Sequence, residues 1–191
     1  MKMNENGRSM VEMLGVLAII GVLSAGGLAG YSKAMFKHKL NSTMDQITML
    51  VTNIRTMYGT QGNYDGLSGT AAINLGIVPA VMGSTSAGLT NPFKGSVSIG
   101  VDTVNTVEKA GFHLTYAGLP AEACIALATS DFGSGAGSGF IAAKINSETA
   151  SGTFGTATEG HAYEMSGDAG AIALCNKAST KNNNSITWSF Y

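Results

Sequence analysis

The stretch that decides the fold spans residues 7–39 and reads GRSMVEMLGVLAIIGVLSAGGLAGYSKAMFKHK. Within it, residues 13–32 carry no charged side chain. At ~1.5 Å rise per residue, such a run forms a helix of about 30 Å, the hydrocarbon thickness of a bilayer. Glu12 stands at the edge of the run, where a carboxylate costs up to about 3 kcal/mol and usually marks a function. The stretch therefore predicts a membrane-spanning helix with an acidic residue at its start.

A short polar leader, MKMNENG, precedes the apolar run and ends in Gly7. A secretory signal peptide is cleaved after its apolar region, beside small residues. Here the obvious processing point lies before that region. Cleavage at this point would leave the apolar helix on the mature protein.

Beyond the apolar run, the pattern is that of an amphipathic helix that continues to Tyr58. Its apolar residues recur at spacings of three and four, which is typical of a helix with one buried face. They are Leu40, Met44, Ile47, Leu50, Val51, Ile54 and Tyr58. We expect the helix to end near Gly59, where glycine can adopt a left-handed cap.

This N-terminus resembles that of type IV pilins and the related pseudopilins. Their pattern is a short charged leader, a glycine, and a glutamate five residues into the mature chain, followed by about twenty apolar residues; Gly7 and Glu12 match it. The resemblance implies that a prepilin peptidase cleaves between Gly7 and Arg8 and methylates the Arg8 amine. It also implies that Glu12 acts in assembly. Arg8 departs from the family, in which the first mature residue is mostly apolar.

The resemblance divides the chain into four segments. Residues 1–7 are the leader, 8–32 the transmembrane or filament-core helix, 33–58 the amphipathic half of the same helix, and 59–191 a globular head. The implied fold class is α+β, with a long N-terminal helical spine and an antiparallel β-sheet packed on its second half.

The pattern of the head agrees with this fold class. Alternation at residues 96–101 and 111–116, with Asn105 and Thr106 between them, predicts a β-hairpin. Short helices are expected at residues 71–75, 120–128 and 169–175, a glycine-serine loop at 132–139, and strands at 140–145 and 185–191. The helix after the hairpin, the size and the two cysteines resemble the type IVb subgroup, although the leader is shorter than in that subgroup.

The two cysteines, Cys124 and Cys175, have no CxxC motif or histidine pair beside them, which argues against a metal site. If the head is exported, a disulfide between them is expected. Two buried free thiols are the alternative.

Glycines in the apolar run point to helix packing. Gly26 and Gly30 form a G-x-x-x-G pair, which lets helices approach closely, and Gly27 weakens the helix locally. Many pilins have a helix-breaking proline in this zone. We hypothesise that Gly26, Gly27 and Gly30 form a local melting point when subunits pack into a filament.

Composition indicates a partly covered surface, and the motifs give no sign of an enzyme. Charged residues make up 12%, about half the usual ~25%, so part of the surface is expected to lie in lipid or against neighbouring copies. The net charge of −1 argues against a dedicated nucleic-acid-binding protein. His38, His113 and His161 are scattered, and no nucleophile elbow or phosphate-binding motif is present. No catalytic residue, metal or cofactor is therefore expected.

A basic cluster, Lys33, Lys37, His38 and Lys39, follows the apolar run and suits an anchor at anionic headgroups. The positive-inside rule alone would place this end of the helix in the cytoplasm. The resemblance and the expected disulfide both imply an exported head instead, and we follow them.

The sequence thus predicts a structural subunit of a type IV pilus. It would enter the inner membrane as a prepilin with its head exported, and then polymerise into an extracellular filament. Its expected partners are other copies of itself, the prepilin peptidase, the inner-membrane assembly platform and membrane lipid. Two alternatives remain, a pseudopilin of a type II secretion system or minor pilin, and a bitopic membrane protein with an exported binding head.

Overall fold

One helix, α1 (Asn6–Tyr58), opens the structure. The computed structural model describes residues 6–133, 138–146, 148, 151–152, 160–177 and 183–191. The chain divides into two compact units, of which the first ends at Lys39 and the second begins at Leu40.

The first unit is helical throughout its described residues, 6–39. The helix runs unbroken through Gly26, Gly27 and Gly30 in this single chain. Its length and composition are sufficient to cross a membrane, and none of its apolar window is buried. These properties agree with the expected membrane-spanning helix.

The second unit combines the end of α1 with short helices and one sheet. Its further elements are α2 (Gly69–Asn74), a 3-10 turn (Ala80–Met82), β1 (Gly83–Ser84), β2 (Gly88–Thr90), β3 (Ser96–Val104), β4 (Val107–Leu119), α3 (Ala121–Ala128), β5 (Phe140–Ile145), α4 (Ala171–Cys175) and β6 (Asn184–Phe190). The sheet has the order β1-β2-β3-β4-β6-β5, and every pairing is antiparallel.

The predicted hairpin is confirmed as β3 and β4. Val104 pairs with Val107, which leaves Asn105 and Thr106 as a two-residue loop. Both loop residues have positive φ, 50° and 66°, the backbone that matches the twist of a tight hairpin. Both strands extend beyond the predicted limits.

The three short helices are also confirmed, and local chemistry explains where they begin. Ser68 caps α2, because its hydroxyl accepts a hydrogen bond from the Ala71 amide at 3.2 Å. Pro120, with φ −65°, precedes α3, and Glu122 lies in its first turn, where a carboxylate suits the helix dipole. The two C-terminal strands are confirmed as β5, at the sheet edge, and β6. Residues 134–137 of the expected glycine-serine loop lie outside the described residues.

The left-handed cap expected at Gly59 is wrong, although α1 does end at Tyr58. The first left-handed glycine after the helix is Gly62, with φ 71°. The chain leaves α1 through a further turn, in which the Gln61 amide donates to the Tyr58 carbonyl at 3.0 Å. Because of this turn, the first glycine with a left-handed backbone lies three residues after Gly59.

The amphipathic stripe of α1 is the helical side of the core. Ile47, Leu50, Ile54 and Tyr58 are buried, and the three other predicted residues of the stripe are partly buried against the same cluster. The opposite side of the core comes from the inner face of the sheet, namely Val97, Ile99, Phe112, Leu114, Tyr116, Ile186, Trp188 and Phe190. At about 1.5–3 kcal/mol per buried large side chain, this cluster is the main source of stability.

A disulfide joins α3 to α4, as expected. Cys124 and Cys175 are both buried, and their Cα atoms lie 5.8 Å apart across a sequence separation of 51 residues. Closing a loop of this length in the unfolded chain contributes roughly 4 kcal/mol in the chain-entropy model. The bond therefore fixes α4 against α3.

The turn that leads into β3 depends on one buried amide and one glycine. The Asn91 Oδ1 accepts from the amides of Phe93 and Gly95, at 2.9 and 3.0 Å, and its Nδ2 donates to the Ala117 carbonyl at 2.8 Å. A Cβ on Gly95 would lie 1.8 Å from that same carbonyl oxygen. The backbones therefore approach too closely for any side chain at residue 95.

We predict that Gly95→Ala destabilises the head by ~3 kcal/mol, because the clash forces β4 away from the turn. Gly69→Ala is the matched control. A Cβ on Gly69 meets only Leu89 Cδ1, at an ordinary 3.8 Å, and alanine favours α2, so we expect a neutral or slightly stabilising effect. Denaturant unfolding of the full chain in detergent measures both, and equal effects would contradict the close approach.

Candidate assembly surfaces

The apolar segment of α1 has large hydrophobic side chains exposed in the first unit. Their exposed fractions lie between 53% for Ile20 and 75% for Val22. They are Met10, Val11, Met13, Leu14, Val16, Leu17, Ile19, Ile20, Val22, Leu23, Leu28 and Tyr31. A soluble monomer does not keep so large an apolar surface in water. The segment therefore needs lipid or other apolar helices around it.

The predicted processing and assembly residues lie in the first turns of α1. Gly7 and Arg8 belong to the helical backbone, which begins at Asn6, before the expected cleavage point. Arg8 and Glu12 are four residues apart in the sequence. Glu12 is exposed, next to the apolar side chains.

The glycines of this segment are not required by the packing of the single chain. A Cβ built on Gly26, Gly27 or Gly30 would meet no atom within 4 Å. Their lack of a side chain therefore matters only for contacts with other molecules or for the stability of the helix itself. The exposed Lys33 and Lys37 follow them.

Polar side chains tie the second half of α1 to the head. The Asn53 Nδ2 donates to the Ile77 carbonyl at 2.9 Å, and the Arg55 Nη1 donates to the Ser138 carbonyl at 2.8 Å. The Arg55 guanidinium also lies 5.5 Å from the centroid of the Phe190 ring, a cation–π distance. These contacts join the helix to two loops and to β6.

The outer face of the sheet, opposite the core, carries a polar cluster of Asp102, His113 and Ser189. The His113 Nδ1 lies 2.7 Å from the Asp102 Oδ1, and the Ser189 hydroxyl donates to the Asp102 Oδ2 at 2.7 Å. Burial alone would raise the pKa of Asp102. The hydrogen bonds from His113 and Ser189 and the charge on His113 outweigh burial, so the pKa lies below its ordinary value.

This cluster contains the three residue types of a hydrolase triad but not its arrangement. A nucleophilic serine must donate to the histidine, which the carboxylate orients. Ser189 instead donates to Asp102, and it is fully buried. The carboxylate therefore receives both bonds, and nothing in the cluster activates the serine.

The glycine opposite His113 explains how the ring fits on the sheet. Gly100 pairs with His113 across β3 and β4. A Cβ there would lie 2.6 Å from the His113 Cε1. The imidazole therefore lies over the bare backbone of β3.

Sequence reasoning treated His113 as one of three scattered histidines and did not predict this cluster. The alternating pattern does place His113 on the polar face of β4. The contact of His113 with Asp102 depends on the register between β3 and β4. The bond between Asp102 and Ser189 joins residues 87 positions apart and forms only because β6 pairs with β4. Alternation alone specifies neither register.

We predict that Asp102→Asn destabilises the protein by roughly 2 kcal/mol at pH 7, because an amide cannot accept from both donors. Since the folded-state pKa of Asp102 is below its ordinary value of 3.8, the stabilisation is present above that pH and is lost as the pH falls through the folded-state pKa. The difference between the two proteins should therefore shrink as the pH falls below 3.8.

Asp65→Asn is the control for this prediction. The Lys109 ammonium, at 2.6 Å, lowers the pKa of Asp65 through its hydrogen bond and its charge, but this pair is exposed. Exposed pairs contribute little, so we expect a smaller loss at pH 7. Denaturant unfolding at several pH values measures both variants. A pH-independent deficit for Asp102→Asn would contradict the role of its charge.

Comparisons with known proteins place the chain in a family. A family model described as Bundlin matches residues 33–191. Two relatives, from Escherichia coli O127:H6 and O111:H-, are each named a major structural subunit of bundle-forming pilus. Both are 31% identical to this chain over 136 residues, which cover 71% of this chain and 69% of each relative.

Two solved structures are also similar. The crystal structure of TcpA, a type IV pilin from the Vibrio cholerae El Tor biotype, superposes with a TM-score of 0.53 at 15% identity, covering 81% of this chain and 99% of TcpA. The crystal structure of a type IV b pilin from Salmonella typhi gives a TM-score of 0.47 at 20% identity. The match covers 78% of this chain and 97% of the Salmonella typhi chain. The likeness to TcpA confirms the α+β fold, and the chain belongs to the Bundlin family.

Proposed function

We propose that this pilin is the repeating subunit of a type IV pilus, in which the apolar segments of many copies bundle and the heads cover the surface. As a member of a structural pilin family, the chain is not an enzyme. The observation that carries the proposal is the helix with exposed apolar side chains on a folded head. The names of the relatives favour a major subunit over a minor pilin or pseudopilin.

The proposed precursor lies in the inner membrane with its head exported. The apolar segment supplies the anchor, and the disulfide between Cys124 and Cys175 suits an oxidising compartment. The prepilin peptidase removes residues 1–7 and methylates Arg8. Residues 8–32 then remain as the membrane or filament-core helix, residues 33–58 as the half that carries the head, and 59–191 as the head.

Glu12 sets the position of each incoming subunit in this scheme. Its carboxylate, in an apolar filament core, pairs with the new N-terminal amine of a neighbouring copy. An unpaired charge in such a core is costly, so only the register that brings the two groups together is stable. The inner-membrane assembly platform supplies the subunits to the growing filament.

The glycine stretch adjusts the helix during packing. Gly26, Gly27 and Gly30 have no packing role in the single chain, and glycine costs ~1 kcal/mol each in a helix interior. The helix is therefore least stable here and opens locally when the neighbouring helices require it.

We predict that the mature chain in the native host begins at methylated Arg8. Its intact mass corresponds to residues 8–191 plus one methyl group, minus the two hydrogens that the Cys124–Cys175 bond removes. N-terminal sequencing and intact-mass measurement before and after reduction test this. A chain that retains residues 1–7 would overturn the processing step and leave an anchored membrane protein.

We predict that Glu12→Ala enters the membrane and is processed normally but yields at least ~10-fold fewer filaments, because an amine left unpaired in the core costs about 3–5 kcal/mol. Lys33→Gln, a charge change at the other end of the apolar segment, is the control and should assemble normally. Sheared-filament yield against membrane-bound pilin is the measurement. Normal filament yield from Glu12→Ala would exclude the pairing of Glu12 with the neighbouring amine.

A filament map tests the glycine stretch separately. An unbroken helix across residues 23–31 in that map would exclude local melting at Gly26, Gly27 and Gly30.

A further inference from the structure

A polar depression of about 350 Å³ lies on the outer face of the sheet, beside the Asp102–His113 pair. Thr115 pairs with Thr187 across β4 and β6, and Thr187 pairs with Lys144 across β6 and β5. These three residues thus form one row across three strands. The lining residues are Asp102, His113, Thr115, Lys144, Asn146 and Thr187.

Lys144 distinguishes this depression from the rest of the head surface. The lysines at 109 and 177 have carboxylate partners, Asp65 and Glu148, and Lys94 is exposed to water. Lys144 is partly buried, yet no carboxylate among the described residues lies within ion-pair distance of it. A cation that has lost part of its hydration without gaining a counter-ion is unfavourable unless a ligand supplies one.

The carboxylate that lines the depression does not neutralise Lys144. Both oxygens of Asp102 are engaged, one with the His113 Nδ1 and the other with the Ser189 hydroxyl. The His113 ring is held with its Nδ1 toward Asp102, so the Nε2 is the ring nitrogen that does not contact Asp102. Both Asp102 oxygens are therefore occupied by His113 and Ser189, and Asp102 forms no ion pair with Lys144.

The neighbouring groups offer donors rather than acceptors. Thr115 and Thr187 share one hydrogen bond of 2.8 Å, which uses one of their two hydroxyl protons and leaves the other for a ligand. The Asn146 amide is already used within the fold: its Nδ2 donates to the Asn184 Oδ1 at 3.0 Å, and its Oδ1 accepts from the Ser185 amide at 2.9 Å. Apart from the His113 Nε2, the available groups are therefore the Lys144 ammonium and one hydroxyl.

We propose that this depression binds an oxyanion, with the Lys144 ammonium as its charged contact and the Thr115–Thr187 hydroxyl pair as its second donor. A carboxylate or phosphate group fits this chemistry, because both accept charge-assisted hydrogen bonds. The sources that could present it are a sugar acid, through its carboxylate, and free phosphate. The site lies on the outer face of the sheet, opposite the face that packs on the amphipathic half of α1.

The test is an NMR titration of the isotope-labelled full chain in an uncharged detergent, with sodium phosphate and sodium glucuronate as separate probes. We expect saturable shifts of the Lys144, Thr115 and Thr187 amides, and weaker binding as sodium chloride screens the charge. Shifts with one probe alone identify phosphate or sugar carboxylate as the ligand class. No saturable shift with either probe overturns the proposal.

Lys144→Gln keeps the length of the side chain and removes its charge, so we expect at least ~10-fold weaker binding. Lys94→Gln, at an exposed lysine in the turn before β3, is the matched control and should bind as the unchanged protein does. Thr187→Val tests the hydroxyl and should weaken binding by a smaller factor. Thermal unfolding of each variant verifies folding, and unchanged affinity in folded Lys144→Gln would refute the site.

Discussion

The burial of one face of α1 against the inner face of the sheet is the interaction on which this pilin depends. Ile47, Leu50, Ile54 and Tyr58 are almost completely removed from water. In the described part of the head, no other helix is long enough to cover the sheet. The remainder of the head is arranged around this contact. The polar contacts of Asn53 and Arg55 then join the same helix to the surrounding loops.

The two parts of this single helix thus have different surroundings. Its first part has apolar side chains exposed on all sides, and its second part has one apolar face that the same chain covers. The change from one pattern to the other occurs near the basic cluster that begins at Lys33, where charge returns to the sequence. The head is therefore complete within one chain, whereas the apolar segment is complete only with lipid or with other copies.

Features with a local cause could be predicted from the sequence. The apolar run, the stripe on α1, the two-residue loop at Asn105 and Thr106, and the helix after Pro120 all depend on neighbours within a few residues. The position of Gly62 as the left-handed residue could not be predicted, because either glycine after α1 satisfies the same local rule. The outer-face cluster was missed for a different reason: alternation shows which face a side chain is on, and only strand pairing shows what lies beside it.

The strand order also constrains when the head can form. β6 follows β5 in the chain, yet it lies between β4 and β5 in the sheet. Until β6 has been added to the growing chain, β4 therefore has an open edge, and β5 has no partner strand in this sheet order. An open edge is a template for strands from other chains. Rapid delivery of β6 therefore protects copies of this chain from exchanging strands, so the speed at which the last strand becomes available bears on the quality of the subunit pool as well as on its size.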